Sequence, residues 1–164
     1  MTEILKVALG VGDAAPTFTA RTTHGAEVSL TDFRGAPVLL FFYPFAFTGI
    51  CTGELHALRD RYAELTTTGA RVLAISCDSV FALRVFAETE RLPFEILSDF
   101  WPHGEIADAY GVFDKEAGCA LRASFVLDAD GRIAWSVVNQ LGDAREMGEH
   151  LAVLNQLTPS SSTG

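Results

Sequence analysis

The stretch that most constrains the fold is Pro37-Val-Leu-Leu-Phe-Phe-Tyr43, closed by Pro44. Seven residues without a polar member cannot alternate between a core face and a wet face, so the run predicts a strand buried on both sides, central in a sheet. Pro44 lacks an N–H and ends the ladder. After Gly49, Leu55, Leu58, Tyr62 and Leu65 follow a 3-4-3 spacing, one stripe of an amphipathic helix that Gly69 terminates. A buried strand feeding directly into a helix places the chain among layered α/β folds.

The rest of the chain supports that reading. Thr17 to Ala20 and Glu27 to Leu30 read as a leading β-hairpin turning at His24-Gly25, with Thr31 to Gly35 as one helical turn. Arg71 to Cys77 is a second buried-type strand, Ser79 to Glu90 a helix, Phe94 to Leu97 a short strand, and Glu105 to Tyr110 a helix. Leu121 to Leu127 and Arg132 to Val138 flank Asp128-Ala-Asp-Gly131, whose Asp-Gly predicts an antiparallel hairpin. Asp143 to Leu157 closes the chain as a helix. The expected domain is single and spans 1–157, with 1–10 an extension and 158–164 a flexible polar tail. Its class is α/β, a central mixed β-sheet flanked by helices behind an N-terminal hairpin, and it most resembles the thioredoxin-like sandwich. Strand order does not follow from the pattern.

Twelve basic against 21 acidic residues give a net charge of -9, which repels nucleic acid and anionic membrane surfaces. No apolar run has the length of a membrane span, and the N-terminal stretch makes a poor signal peptide, so a cytoplasmic protein is expected. The four histidines are dispersed and pair with no cysteine at zinc spacing, and no Walker or dinucleotide glycine pattern occurs. Neither metal nor cofactor is expected.

A core of this size needs no disulfide, so the three cysteines are either small hydrophobes or chemistry. Cys51 lies one turn after the central strand, four residues before Leu55, at the start of the helix. Unpaired N–H groups and the positive dipole end there stabilise a thiolate, whereas burial alone opposes it. Thr48 is placed to cap the helix through Ile50 or Cys51 while offering its O–H to a bound oxygen. Taken alone, Cys51 reads equally as packing, Thr48 as a plain cap, Pro44 as a strand terminator, Glu54 as a first-turn acid and Arg122 as a surface arginine.

Pro44-x-x-x-Thr48-x-x-Cys51 is also the active-site signature of the peroxiredoxins. Together with Glu54-Leu55, Ser98-Asp-Phe-Trp-Pro-His-Gly104, Ala109-Tyr-Gly-Val-Phe113 and Arg122-x-Ser-Phe-Val-x-Asp128, it resembles the alkyl hydroperoxide reductase E branch, a one-cysteine type, from about Val11 to Leu157. The resemblance implies a thiol peroxidase acting on hydrogen peroxide, organic hydroperoxides and peroxynitrite. In it Cys51 is the nucleophile, Thr48 holds the peroxide, Pro44 shields the sulfur, Arg122 stabilises the thiolate and Glu54 positions Arg122. If the Leu121 to Leu127 strand runs antiparallel to the central one, Arg122 starts beside the end from which the Cys51 loop emerges.

The resemblance further implies a homodimer, and recycling by an external thiol: a low-molecular-weight thiol, a glutaredoxin-like protein or thioredoxin. Neither Cys77 nor Cys119 occupies a recognised resolving position. Cys77 is expected buried and Cys119 partly exposed in a loop, with resolution through either as the alternative, alongside a peroxide sensor or redox-regulated chaperone. Phe47 and Trp101 are expected at the site's mouth or at a subunit contact.

Overall fold

The computed structural model describes residues 9–157; most of the expected extension and the whole 158–164 tail lie outside the described residues. In chain order the elements are β1 (Thr19–Thr22), β2 (Glu27–Ser29), a 3-10 turn (Leu30–Phe33), β3 (Val38–Phe42), α1 (Gly49–Asp60), α2 (Tyr62–Thr67), β4 (Arg71–Ser76) and α3 (Val80–Glu90). There follow β5 (Glu95–Ser98), α4 (Glu105–Ala109), β6 (Phe113–Asp114), β7 (Cys119–Ala120), β8 (Arg122–Leu127), β9 (Ile133–Asn139) and α5 (Met147–Leu157).

Seven strands form one mixed sheet in the order β2-β1-β5-β4-β3-β8-β9. β3, β4 and β5 are parallel, while β8 runs antiparallel to β3 and β1 antiparallel to β5. The all-apolar run is central as expected, and all five residues of β3 are buried. Its alternate side chains enter two cores. Leu39, Phe41 and Tyr43 meet Leu55, Leu58, Leu65, Leu83, Phe86 and Leu154. Val38, Leu40 and Phe42 meet Phe33, Ile106, Tyr110 and Phe125. Covering both faces is what allows the run to dispense with polar positions.

Four details depart from the sequence reading. The leading hairpin is shifted, pairing Thr19 with Ser29 and Arg21 with Glu27. The single helix expected after Gly49 breaks at Arg61, whose backbone leaves the helical region at φ -106° and ψ 10°. Tyr62 then rests its ring against Phe94 while Leu65 stays in the core. The last helix begins at Met147 rather than Asp143, because the preceding backbone is bound elsewhere: Asn139 donates to the carbonyls of Asp143 and Ala144, and the Arg145 N–H is given to Glu54. Finally, β6 and β7 form a two-residue ladder too short for any alternation to reveal. Asp114 Oδ1 accepts from the N–H groups of Glu116 and Ala117 in its turn.

Gly104, at the start of α4, has φ +73°, and a Cβ there would fall 2.2 to 2.7 Å from the ring atoms of Phe113. Left-handed strain and overpacking add in this position, so Gly104→Ala is expected to lose roughly 2 to 4 kcal/mol. An unchanged midpoint in denaturant unfolding would refute this.

Candidate active site

The loops that leave the carboxyl ends of β3, β4 and β5 are tied together at one edge of the sheet. Ala46 donates its N–H to Asp78 Oδ2 (2.9 Å), which also accepts from Ser76 Oγ (2.7 Å), and Ser98 Oγ donates to the Asp78 carbonyl (2.6 Å). Pro44 is buried where the chain leaves β3. Phe47 adopts φ +66°, unusual for a residue with a Cβ, and its ring meets Phe86 edge-on at 5.0 Å. That turn delivers Thr48 to the N-cap of α1.

Thr48 caps by backbone only. Its carbonyl accepts from Thr52 N–H (2.9 Å), but its hydroxyl donates to the Phe45 carbonyl (2.7 Å) and accepts from no helical N–H. The side-chain cap to Ile50 or Cys51 expected from sequence is therefore absent. The reason is geometric: the tight Phe45–Thr48 turn brings a carbonyl closer to the hydroxyl than the helix N–H groups.

Cys51, third in α1, is buried in the stripe of Leu55 and Leu58. The β3–β8 register pairs Phe42 with Ala123, so Arg122 lies just past the end of β3, as the antiparallel arrangement required. Its NH1 donates to Cys51 Sγ (3.2 Å) and to Glu54 Oε1 (2.8 Å), while its Nε donates to the Leu141 carbonyl (2.6 Å). The buried Glu54 accepts three further bonds, all from Arg145: NH2 to Oε1 (2.8 Å), Nε to Oε2 (2.9 Å) and backbone N–H to Oε2 (2.8 Å). Burial works to raise the Glu54 carboxyl, yet the hydrogen bonds and charge of Arg145, with Arg122 adding to them, hold it below the usual carboxylate range.

Arg145 was missed in the sequence. It stands in a polar stretch with no periodicity, and nothing local distinguishes it from a surface arginine. In the fold it is buried, with Cζ 3.6 Å from the centroid of the Phe41 ring and NH1 donating to the Ala123 carbonyl (2.7 Å) and Ser124 Oγ (3.1 Å). Two guanidinium groups and one carboxylate leave one positive charge unbalanced in a buried site. Cys51 sulfur, which accepts from Arg122, lies against that excess charge.

The other two cysteines are also buried. Burial, with the charge of Asp99 adding to it, pushes the Cys77 thiol up to about 12; burial, then the charge of Asp114, pushes Cys119 up to about 11. Both are protonated near neutral pH. Cys119 corrects the sequence reading: β7 takes it out of the expected exposed loop and packs it inside. Phe47 and Trp101 are exposed, at 57% and 82%. Among the described residues no group of three or more His, Cys, Asp or Glu is placed to hold a metal, and no helix is long and apolar enough to cross a membrane.

The AhpC/TSA family model matches residues 11–136. Alkyl hydroperoxide reductase E of Mycobacterium tuberculosis is 45% identical over 139 residues, covering 84% of this chain and 91% of that protein. A putative peroxiredoxin of Synechocystis is 36% identical over 167 residues, covering 96% and 80%. Among solved structures, Enterococcus faecalis AhpC superimposes with a TM-score of 0.83 at 29% identity over 89% of this chain and 90% of that one. Peroxidoxin BcpB of Mycobacterium tuberculosis gives 0.83 at 29% identity over 92% and 99%.

Proposed function

Since the chain belongs to the AhpC/TSA family, with the thioredoxin-like fold and thiol-dependent peroxidase activity of a peroxiredoxin of the alkyl hydroperoxide reductase E type, we propose that Cys51 is its peroxidatic nucleophile in a one-cysteine cycle. The Cys51 thiolate attacks the nearer oxygen of the peroxide. An S–O bond forms, the O–O bond breaks, and the departing oxygen takes a proton from solvent to leave as water or alcohol, or leaves as nitrite from peroxynitrite, with sulfenic acid left on sulfur.

The surrounding residues take the roles that the family resemblance implies. Arg122, whose NH1 touches the sulfur, balances the thiolate and directs the peroxide. Thr48 and the first-turn N–H groups receive the oxygens in line with sulfur and stabilise charge moving onto the leaving one. Pro44 shields the sulfur from water. Glu54, held by Arg145, fixes Arg122. The observation that carries this reading is the charge balance: two buried guanidiniums share one carboxylate, and one of them also donates to Cys51.

An external thiol then attacks the sulfenic sulfur, releasing water and forming a mixed disulfide. A second thiol resolves it, and a low-molecular-weight thiol, a glutaredoxin-like protein or thioredoxin supplies these equivalents. The burial and protonation of Cys77 and Cys119 favour this over an internal resolver. Hydrogen peroxide, organic hydroperoxides and peroxynitrite are the oxidants, and recycling by thiols suits the reducing cytoplasm. The exposed Phe81, Phe100 and Trp101 rim one groove and supply the apolar contact for a homodimer.

Mass spectrometry after one equivalent of peroxide, with a sulfenate-trapping dione present, tests the cycle. The adduct is expected on the Cys51 peptide. A disulfide linking that peptide to Cys119 or Cys77 would overturn the one-cysteine mechanism. Many peroxide equivalents consumed per chain with thiol present mark a catalyst; a single oxidation per chain would mark a sensor or redox-regulated chaperone.

A further inference from the structure

We infer that His150, acting through Ser124, is a positioning residue for the Arg145, Glu54 and Arg122 set that serves Cys51. The inference rests on Cys51 being the reacting thiol, and it follows from a chain of six hydrogen bonds.

His150 Nδ1 lies 2.8 Å from the Glu146 carbonyl, which can only accept, so Nδ1 carries the proton. In the neutral ring Nε2 is therefore the acceptor, and Ser124 Oγ, 2.8 Å away, donates to it. With its proton committed, Ser124 offers Arg145 NH1 a lone pair at 3.1 Å. Arg145 passes the constraint to Glu54, and Glu54 to Arg122 and the sulfur. Ser124, His150, Arg145, Glu54 and Arg122 are all buried, so water offers none of them a substitute partner.

The ring is held on its other sides by Phe41 of β3 (centroids 5.9 Å apart) and Trp135 of β9 (5.0 Å). The charges acting on it are Arg145, which opposes a second proton, and Glu54, which favours one; Phe41, Trp135 and Ser124 carry none. Burial is the largest influence and moves the group from its ordinary 6.5 down to about 4. A proton arriving on Nε2 would reverse the Ser124 bond, turning an acceptor into a donor, and set a second cation beside Arg145. The folded chain takes that proton near 4 and the unfolded chain near 6.5, so between those values the unfolded chain holds more protons and stability falls as pH drops.

The test follows the second-order rate constant of Cys51 oxidation by hydrogen peroxide between pH 3 and 8, with circular dichroism at each pH confirming the fold. His150→Gln supplies an amide oxygen that accepts from Ser124 without titrating. Wild type is expected to lose rate at the acid end with one more proton than His150→Gln. His150→Phe and Ser124→Ala are each expected to slow oxidation at pH 7 by roughly 3- to 10-fold, and the double variant to be no slower than the slower single one. Identical acid limbs in wild type and His150→Gln, or losses that multiply in the double variant, would overturn the inference while leaving Cys51 as nucleophile. A wild-type chain that consumes no peroxide would overturn both.

Discussion

Cys51→Ser is expected to abolish peroxide reduction, lowering the rate by roughly three orders of magnitude or more, whereas Cys77→Ser and Cys119→Ser keep the first oxidation step. The serine hydroxyl occupies nearly the same volume, so the Leu55 and Leu58 packing around it survives and loss of activity reports chemistry rather than unfolding. A hydroxyl at neutral pH neither ionises beside Arg122 nor accepts oxygen from a peroxide. Cys77 and Cys119 are protonated and enclosed, and serine there removes no nucleophile from the sulfur's approach. Peroxide consumption by competition, together with thermal melts, separates the three variants. Equal loss in all of them would mean that the site had been assigned to the wrong sulfur.

Glu54→Gln is expected to produce the second large effect, on stability and on chemistry. The carboxylate accepts from two buried guanidiniums, and removing its charge takes away the anion they share, at a cost of about 3 to 5 kcal/mol. At the sulfur the change has two parts. Losing a nearby negative charge favours the Cys51 anion, so alkylation of the thiol by iodoacetamide should not slow. Glutamine, however, keeps one acceptor oxygen where two guanidiniums shared two, and its NH2 meets a guanidinium donor on the other side, so Arg122 is held less firmly and its fork meets the peroxide out of register. Peroxide reduction is therefore expected to fall roughly 10- to 100-fold. Denaturant midpoints and the two rate measurements decide it: a parallel fall in alkylation and peroxide reduction would show that Glu54 acts on the thiolate itself, and an unchanged midpoint would refute the buried-charge argument.

The wild-type stability that Glu54 confers also has a pH signature. A carboxyl held below its unfolded value stabilises the fold fully above the unfolded range, and that stability is lost as pH falls through the folded value. His150 adds to the same acid limb, since its buried ring is neutral in the fold. Loss of stability on acidification is thus built around one cluster beside Cys51.

Much of the site was legible because its signals are local. Pro44, Thr48, Cys51 and Glu54 lie within eleven consecutive positions, where strand end, turn and first helical turn follow one another, and the strand before them has no polar residue to place it anywhere but the interior. Beyond the family resemblance, Arg122 could be placed through a topological condition, the antiparallel run of its strand against the central one, and the register satisfied it. Thr48 shows where local reasoning fails even at short range. The spacing named the cap position correctly, but the hydroxyl's partner depended on a turn conformation that the sequence pattern does not encode.

By itself the sequence determined the layered α/β class, the central strand, the family and the stretch from Pro44 to Glu54, because periodicity, helix-start chemistry and contiguous motifs are all properties of neighbouring residues. Only the tertiary structure decided the strand order, the burial of Cys119, and the convergence of Arg145, Ser124 and His150 on Glu54. Those residues stand 91, 70 and 96 positions after Glu54 in the chain, and each has an unremarkable local environment. What makes them a set is the return of β8 alongside β3 and the seating of α5 on the same face, which enclose charges that water would otherwise have kept apart.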